Sequence, residues 1–98
     1  GDVIEAGGIV LDKAAHIVKI DGTPVELSYK EFELLDYLMR NQGIVLSREK
    51  LLEVVWNTDY EGESRTVDVH IGSLRQKLGE SGRKIQTVRG VGYKMEMM

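Results

Sequence analysis

The chain has 98 residues, no cysteine and a formal net charge of −3. This length is typical of one small domain with a modest core and little room for a deep pocket. The absence of cysteine excludes disulfides and thiolate metal sites and favours a reducing, cytoplasmic compartment. No run approaches the ~20 apolar residues of a membrane span, so we expect a domain without membrane contact.

The charge is unevenly distributed along the chain. Residues 1–61 carry 6 basic and 12 acidic side chains, net −6, whereas residues 62–98 carry 7 basic and 4 acidic ones, net +3. Proteins bind polyanions through a local basic patch rather than through their total charge. The C-terminal third is therefore the part in which a nucleic-acid surface would lie.

The first 27 residues have the pattern of a small antiparallel sheet. Short apolar or alternating runs are separated at hairpin distances by turn signals, among them Gly7-Gly8 and Asp21-Gly22. The predicted strands are Val3-Ile4, Gly8–Leu11, His16–Ile20 and Pro24–Leu27.

Two helices follow, each with an N-terminal signal. Ser28 and Glu31 form a capping box that starts the first helix, and Gly43 has the position of a left-handed residue closing it. Ser47 caps the second helix, which ends near Trp56. The predicted core residues of the two helices are Phe32, Leu35, Leu38, Met39, Leu51, Leu52, Val55 and Trp56. The polar stretch 57–62 is predicted to be an exposed loop.

The stretch "RTVDVHIGSLRQKLG", residues 65–79, alternates at first as a strand would, yet it also carries a helical period. Val67, Ile71, Leu74 and Leu78 follow the 4-3-4 spacing of one helical face. A strand would leave Leu74 and Leu78 unexplained, so the spacing predicts a helix. Its predicted outward face consists of Arg65, Thr66, Val69, Gly72, Ser73 and Gln76, with His70 and Lys77 on one shoulder and Asp68 and Arg75 on the other.

The composition of this outward face suits the major groove of DNA. An apolar side chain can contact a thymine methyl group, short polar groups can reach base edges, and flanking cations can meet phosphates. Gly72 in mid-helix costs about 1 kcal/mol relative to Ala, which a close approach to another surface would explain. The alternative interpretation is an ordinary exposed helix with a tolerated glycine.

The last segment, "KIQTVRGVGYKMEM", predicts a β-hairpin with a Gly-rich turn at Arg89–Gly92. A short helix, a loop, a second helix and a hairpin together make a winged helix-turn-helix. Arg89 at the hairpin tip would be able to enter an adjacent minor groove.

Four segments, "SYKEFELLDYL", "SREKLLEVVW", "RTVDVHIGSLRQKL" and "IQTVRGVGY", resemble in order and spacing the C-terminal effector domain of OmpR/PhoB-type response regulators. The resemblance covers nearly the whole chain. It implies an α+β fold with an N-terminal four-stranded antiparallel sheet, three helices and a C-terminal hairpin wing. It also implies a transcription factor that binds double-stranded DNA on direct-repeat promoter sites, as a monomer in isolation and as a tandem dimer on DNA.

The resemblance further implies partners outside residues 1–98. An aspartate-phosphorylated receiver domain would lie upstream and answer to a sensor kinase, and the loop at residues 57–64 would contact RNA polymerase. No cofactor is expected.

Site residues carry over from the resemblance by position. In the family, the residues that match Trp56, Arg65, Thr66, His70 and Arg75 contact phosphates, and those that match Thr87 and Tyr93 lie near the DNA backbone. The residues that match Val69 and Ser73 face bases, and the one that matches Arg89 reaches the minor groove. We add Lys77 as a phosphate contact from its charge and helix position. Trp56 has an alternative role as a core residue, His70 as a solvated residue, and Tyr93 is expected to pack as well as bind.

One departure from the family pattern concerns Gly72 and Ser73, which stand where relatives often carry arginine. A bidentate contact to guanine is therefore missing, and Val69, DNA shape and the wing should supply the sequence preference. Catalysis is disfavoured because His16 and His70 lie on different elements and no acid–base set converges. The remaining alternative is a winged helix used only for protein contacts, which the net charge of −3 favours.

Overall fold

The computed structural model describes residues 2–57 and 63–96, and its elements follow the predicted order. The strands are β1 Val3–Ala6, β2 Ile9–Asp12, β3 Ile17–Ile20, β4 Thr23–Val25, β5 Leu46–Ser47, β6 Ile85–Val88 and β7 Gly92–Met95. The helices are α1 Tyr29–Arg40, α2 Arg48–Trp56 and α3 Arg65–Leu78, and a 3₁₀ helix at Gly79–Lys84 follows α3. In this part of the chain no helix is both long and apolar enough to cross a membrane.

The N-terminal sheet has the four antiparallel strands that the sequence predicts, in the order β1-β2-β3-β4. Asp21 and Gly22 join β3 to β4, and both have left-handed φ angles, +49° and +86°. A two-residue turn of this type matches the right-handed twist of the strands it joins, and Asp-Gly is one of its preferred sequences. The local turn chemistry therefore fixes this hairpin.

Both predicted helix caps are present. The Ser28 backbone N–H donates to Glu31 Oε1 at 2.7 Å, and the Glu31 N–H donates to Ser28 Oγ at 3.2 Å. Ser47 Oγ accepts from the backbone N–H of Lys50 at 3.0 Å. Gly43 has the predicted left-handed conformation, at φ +79°. It does not close α1, however, because the helix already ends at Arg40 with Asn41 as its C-cap.

One core joins the sheets and helices. Side chains from β2 and β3 meet the apolar faces of all three helices and the inner side of the hairpin. The buried hydrophobic residues are Ile9, Leu11, Val18, Phe32, Leu34, Leu35, Leu38, Met39, Leu46, Leu51, Val55, Trp56, Val67, Ile71, Leu74, Leu78, Ile85, Tyr93 and Met95. Leu52, predicted as core, is partly buried against this cluster.

The C-terminal hairpin has a third strand that the sequence analysis did not predict. The two-residue strand β5 pairs with β7, with Leu46 opposite Tyr93 and Ser47 opposite Gly92, in the order β5-β7-β6. Gly92 lies in β7 rather than in the predicted turn, and a Cβ there would be 2.0 Å from Leu46 O. This glycine therefore allows close strand approach, whereas Gly90 at φ +77° makes the turn itself.

Candidate nucleic-acid interface

The α3 helix has the helical phase that its spacing predicts. Val67, Ile71, Leu74 and Leu78 are buried, and residues 66–71 form no strand. On the opposite side four residues at the same 4-3-4 spacing are exposed: Arg65, Val69, Gly72 and Gln76. Val69 is 65% exposed, the highest fraction among the exposed large hydrophobic residues of the described chain. We refer to these four residues as the exposed ridge.

Gly72 lies at the middle of the exposed ridge, and the space that a side chain would fill there is open. A Cβ built on it would have no atom within 4 Å, and its backbone is helical. The fold therefore gives no internal reason for a residue that weakens the helix. What the glycine does provide is a low point on the ridge where another molecule can approach the helix backbone.

The flank of α3 that faces α1 is occupied by a buried carboxylate. Glu31 Oε1 accepts from Lys77 Nζ at 2.7 Å, and Glu31 Oε2 accepts from the Ser73 hydroxyl at 2.5 Å. Ser73 is thus half-buried toward α1, a departure from its predicted place on the outward face, because the buried carboxylate requires donors.

These contacts stabilise the charged form of Glu31. Burial alone would raise the pKa of this carboxyl group, but hydrogen bonds from Lys77, Ser73 and the Ser28 N–H outweigh it. They lower the pKa of Glu31 from 4.5 to about 2. Glu31 therefore remains ionised throughout the physiological pH range.

The flank of α3 that faces the hairpin is held by a second carboxylate, Asp68. Its Oδ1 accepts from the Tyr93 hydroxyl at 2.5 Å and from Arg48 Nε at 3.0 Å. Burial raises the pKa of Tyr93, and the hydrogen bond to Asp68 raises it further. Tyr93 is 6% exposed, so packing is its main contribution within the domain.

Arg75 ties the same flank to β6. Its Nε and Nη2 donate to Ile85 O at 3.1 and 2.8 Å, Nη2 also donates to Thr87 Oγ1 at 2.7 Å, and the guanidinium lies 5.4 Å from the Tyr93 ring centre. Within residues 2–57 and 63–96, the Nη1 group donates no hydrogen bond. Because Thr87 accepts from Arg75, it keeps its own proton for a further partner.

The N-terminal half of α3 lies beside the end of α2. Trp56 is buried and meets the His70 ring edge-on, with ring centres 4.9 Å apart. His70 Nδ1 lies 2.9 Å from Thr66 O, and since a carbonyl only accepts, Nδ1 carries the proton in this contact. Lys30 Nζ donates to Val55 O at 2.9 Å and lies over the Trp56 ring. Trp56 is therefore a core residue at the rim of the candidate surface.

Arg89 lies apart from the other candidates, at the exposed tip of the β6–β7 hairpin. The tip also carries Gly90 and the exposed Val91, whose N–H donates to Val88 O at 3.0 Å. The predicted position of Arg89 at a wing tip is confirmed.

The structure gathers most of the predicted site residues around α3. Arg65 and Val69 are exposed on the ridge. His70 meets Trp56 of α2 and the Thr66 carbonyl. Arg75, Thr87 and Tyr93 lie at the junction with the hairpin. Ser73 and Lys77 are held by Glu31. From the sequence, Glu31 is predicted only as a cap. The contacts that Asp68, Arg48 and Lys30 make between elements have no local signal in the sequence.

Comparison with known proteins identifies the family. Residues 22–95 match the family model described as "Transcriptional regulatory protein, C terminal". The chain belongs to the OmpR/PhoB-type effector-domain family. Among curated relatives it is 47% identical over 97 residues to the sensory transduction protein RegX3 of Mycolicibacterium smegmatis, covering 96% of this chain and 42% of RegX3. The chain thus spans less than half the length of this relative.

Solved structures of OmpR/PhoB-type proteins have the same fold. The response regulator DrrB of Thermotoga maritima superposes with a TM-score of 0.87 at 34% identity, covering 97% of this chain and 44% of DrrB. The RstA DNA-binding domain of Klebsiella pneumoniae, solved in complex with the RstA box, has a TM-score of 0.86 at 32% identity, with 98% of each chain covered.

Proposed function

We propose that this domain binds double-stranded DNA in a sequence-specific way, as the effector domain of a two-component response regulator that regulates transcription. In this proposal α3 lies in the major groove and the β6–β7 hairpin reaches the adjacent minor groove. The observation that carries the proposal is the exposed ridge of α3, which presents a free valine and an open glycine after the Arg65 cation of the first turn. Family membership and the RstA complex support it.

The chemistry of the ridge fits a major groove. The Val69 methyl groups can contact a thymine methyl group, and Gly72 allows the helix backbone to come close to the base edges. Arg65 at the first turn of α3 can meet a phosphate at the groove wall, where contacts fix the position of the helix rather than read sequence.

Two groups of residues would contact the phosphates on the two sides of the groove. On the α2 side these are Trp56, Thr66 and His70. On the hairpin side, Arg75 can offer Nη1, Thr87 can donate its own proton, and Tyr93 supports both through its contact with the Arg75 guanidinium.

The two other predicted DNA contacts, Ser73 and Lys77, already have Glu31 as a partner within the domain. Ser73 would have to exchange the Glu31 carboxylate for a base edge, and Lys77 would have to exchange it for a phosphate. Their contribution to binding thus depends on how firmly Glu31 holds them.

The assembly implied by the resemblance also belongs to the proposal. An upstream receiver domain controlled by a sensor kinase would bring two copies onto directly repeated sites, in the cytoplasm. The loop at residues 57–64 would contact RNA polymerase, but residues 58–62 lie outside the described part of the chain.

The first test is a binding titration with promoter-like duplexes at several salt concentrations. A DNA-binding domain loses affinity steeply as salt rises, because each neutralised phosphate releases a counterion.

Binding sites selected from a random pool, with one and two copies of the domain per duplex, would give the motif and the repeat spacing. No binding to any duplex at ~50 mM salt, with a protein partner captured instead, would favour the protein-contact alternative.

Two variants test the proposed orientation of the domain on DNA. Arg89→Ala should make the salt slope about 0.9 less steep and relax the preference for A·T-rich flanks, since the tip of the hairpin loses its cation. Val69→Ala should weaken preference at one thymine position by about 1 kcal/mol while leaving flank preference unchanged. Equal loss at all sequences from Val69→Ala would contradict its role in base reading.

A further inference from the structure

Glu31 connects the start of α1 to the C-terminal half of α3, 42 and 46 residues away along the chain. Its side chain is 4% exposed, whereas that of Lys77 is 41% exposed. The carboxylate thus remains inside the domain, and the lysine comes to it from the surface. This geometry makes Glu31 the fixed member of the pair.

The energetic balance favours Glu31 over a phosphate as the partner of Lys77. Loss of the Lys77 donor would leave the buried Glu31 carboxylate with only the neutral donors Ser73 and the Ser28 N–H, and a hydrogen bond to a charged group shifts an equilibrium on the order of ten- to a hundredfold. One phosphate contact strengthens DNA binding roughly tenfold through counterion release at moderate salt. Lys77 should therefore stay on Glu31 when DNA is present.

Ser73 is restricted in the same way. Its hydroxyl has one proton, and that proton is donated to Glu31 Oε2. To donate to a base acceptor, Ser73 would have to leave a charged and buried partner. It can offer a base edge only its oxygen, as an acceptor.

We propose that Glu31 is a positioning residue that withholds Ser73 and Lys77 from DNA, so that base reading by α3 is confined to the exposed ridge. This inference rests on the proposed function and deepens it. It makes Glu31, a residue that never touches DNA, a determinant of the number of phosphate contacts and of the base preference of α3.

The test compares the salt dependence of DNA binding by the wild-type domain and by Glu31→Gln. Glutamine at this position keeps the capping box, so α1 can still start at Ser28. Loss of the charge frees Lys77, and the slope of log K against log salt should become steeper by about 0.9, with a gain in affinity of roughly three- to tenfold at low salt. Base preference should also change at one position next to the Val69 contact, since Ser73 becomes free to donate.

The matched control is Asp36→Asn. Asp36 is a second buried carboxylate of α1, and its ion pairs are with Lys13 and Arg40 rather than with α3. The variant changes net charge by the same amount on the same helix. It should leave the salt slope and the base preference at their wild-type values, with folding of each variant checked by circular dichroism.

A double variant separates release of Lys77 from a general charge effect. Glu31→Gln combined with Lys77→Gln should return the salt slope to the wild-type value, whereas Glu31→Gln combined with Lys19→Gln, which has the same net charge but keeps Lys77, should retain the steeper slope. A general charge effect would give the two double variants the same slope. A folded Glu31→Gln domain with an unchanged slope would overturn the proposal, and so would a wild-type slope that Lys77→Gln alone makes flatter. If the wild-type domain binds no duplex, the proposed function fails and this inference fails with it.

Discussion

The two faces of α3 differ in chemistry although both follow the same spacing. The buried stripe, Val67, Ile71, Leu74 and Leu78, is apolar and fully enclosed. The exposed ridge on the opposite side contains one cation, one valine, one glycine and one amide. One face therefore holds the helix in the domain, and the other is left to contact another molecule.

The two flanks of α3 between these faces carry polar side chains that already have partners within the domain. Toward α1, the Glu31 carboxylate holds Ser73 and Lys77. Toward the hairpin, Asp68 accepts from Tyr93 and Arg48, and Arg75 donates to Ile85 O and Thr87. Among the described residues, no buried side-chain nitrogen or oxygen lacks a hydrogen-bond partner. The ridge is thus the part of α3 whose groups are least occupied by the fold.

The largest expected effect distinguishes the two faces directly. Leu74→Ala should lower the free energy of unfolding by about 2–5 kcal/mol, because it leaves a cavity in a fully buried site. Val69→Ala should change it by less than about 0.5 kcal/mol, because Val69 is exposed. Urea denaturation measures both, and equal losses would show that the helical phase is wrong.

Acid should weaken the flank that faces α1. The pKa of Glu31 is lowered to about 2 in the folded domain, so its stabilisation is complete above the unfolded value of 4.5 and is lost as pH falls toward 2. Wild type should lose up to about 3 kcal/mol more than Glu31→Gln between pH 5 and pH 2. Urea midpoints measured across this range give the comparison, and parallel losses in the two proteins would contradict it.

Breaking a contact on the flank that faces the hairpin should lower the stability of the domain by a smaller amount. Tyr93→Phe removes the hydrogen bond to Asp68 but keeps the ring, and Arg48 still compensates the carboxylate. We expect a loss of about 1–2 kcal/mol in the free energy of unfolding. Thermal denaturation above and below neutral pH provides the measurement, with Tyr29→Phe on an exposed tyrosine as the control; an equal change in both would exclude a role for the Asp68 contact.

The smallest expected effect is a gain in stability. Gly72→Ala should stabilise the free domain by about 1 kcal/mol, since alanine favours the helix and meets no neighbour. If the ridge approaches DNA closely, the same variant should bind the selected site more weakly. Increased stability with unchanged affinity would place Gly72 away from the interface.

Local signals predicted much of this domain. The capping residues Ser28 and Ser47, the Asp21-Gly22 turn and the 4-3-4 spacing of α3 each act within a few residues, and the structure confirms all of them. The end of α1 was predicted less well. Gly43 has the left-handed conformation but follows a cap already made by Asn41.

The sequence by itself determined which side of α3 is buried, because a period of 3.6 residues places apolar groups on one stripe regardless of their partners. Only the tertiary structure decided what the flanking polar residues do. Glu31 meets Ser73, Asp68 meets Tyr93, and β5 pairs with Gly92 across separations that no local pattern encodes. Carboxylates at buried or half-buried positions take whichever donors packing brings to them, since an unpaired charge away from water is costly, and packing depends on the whole chain.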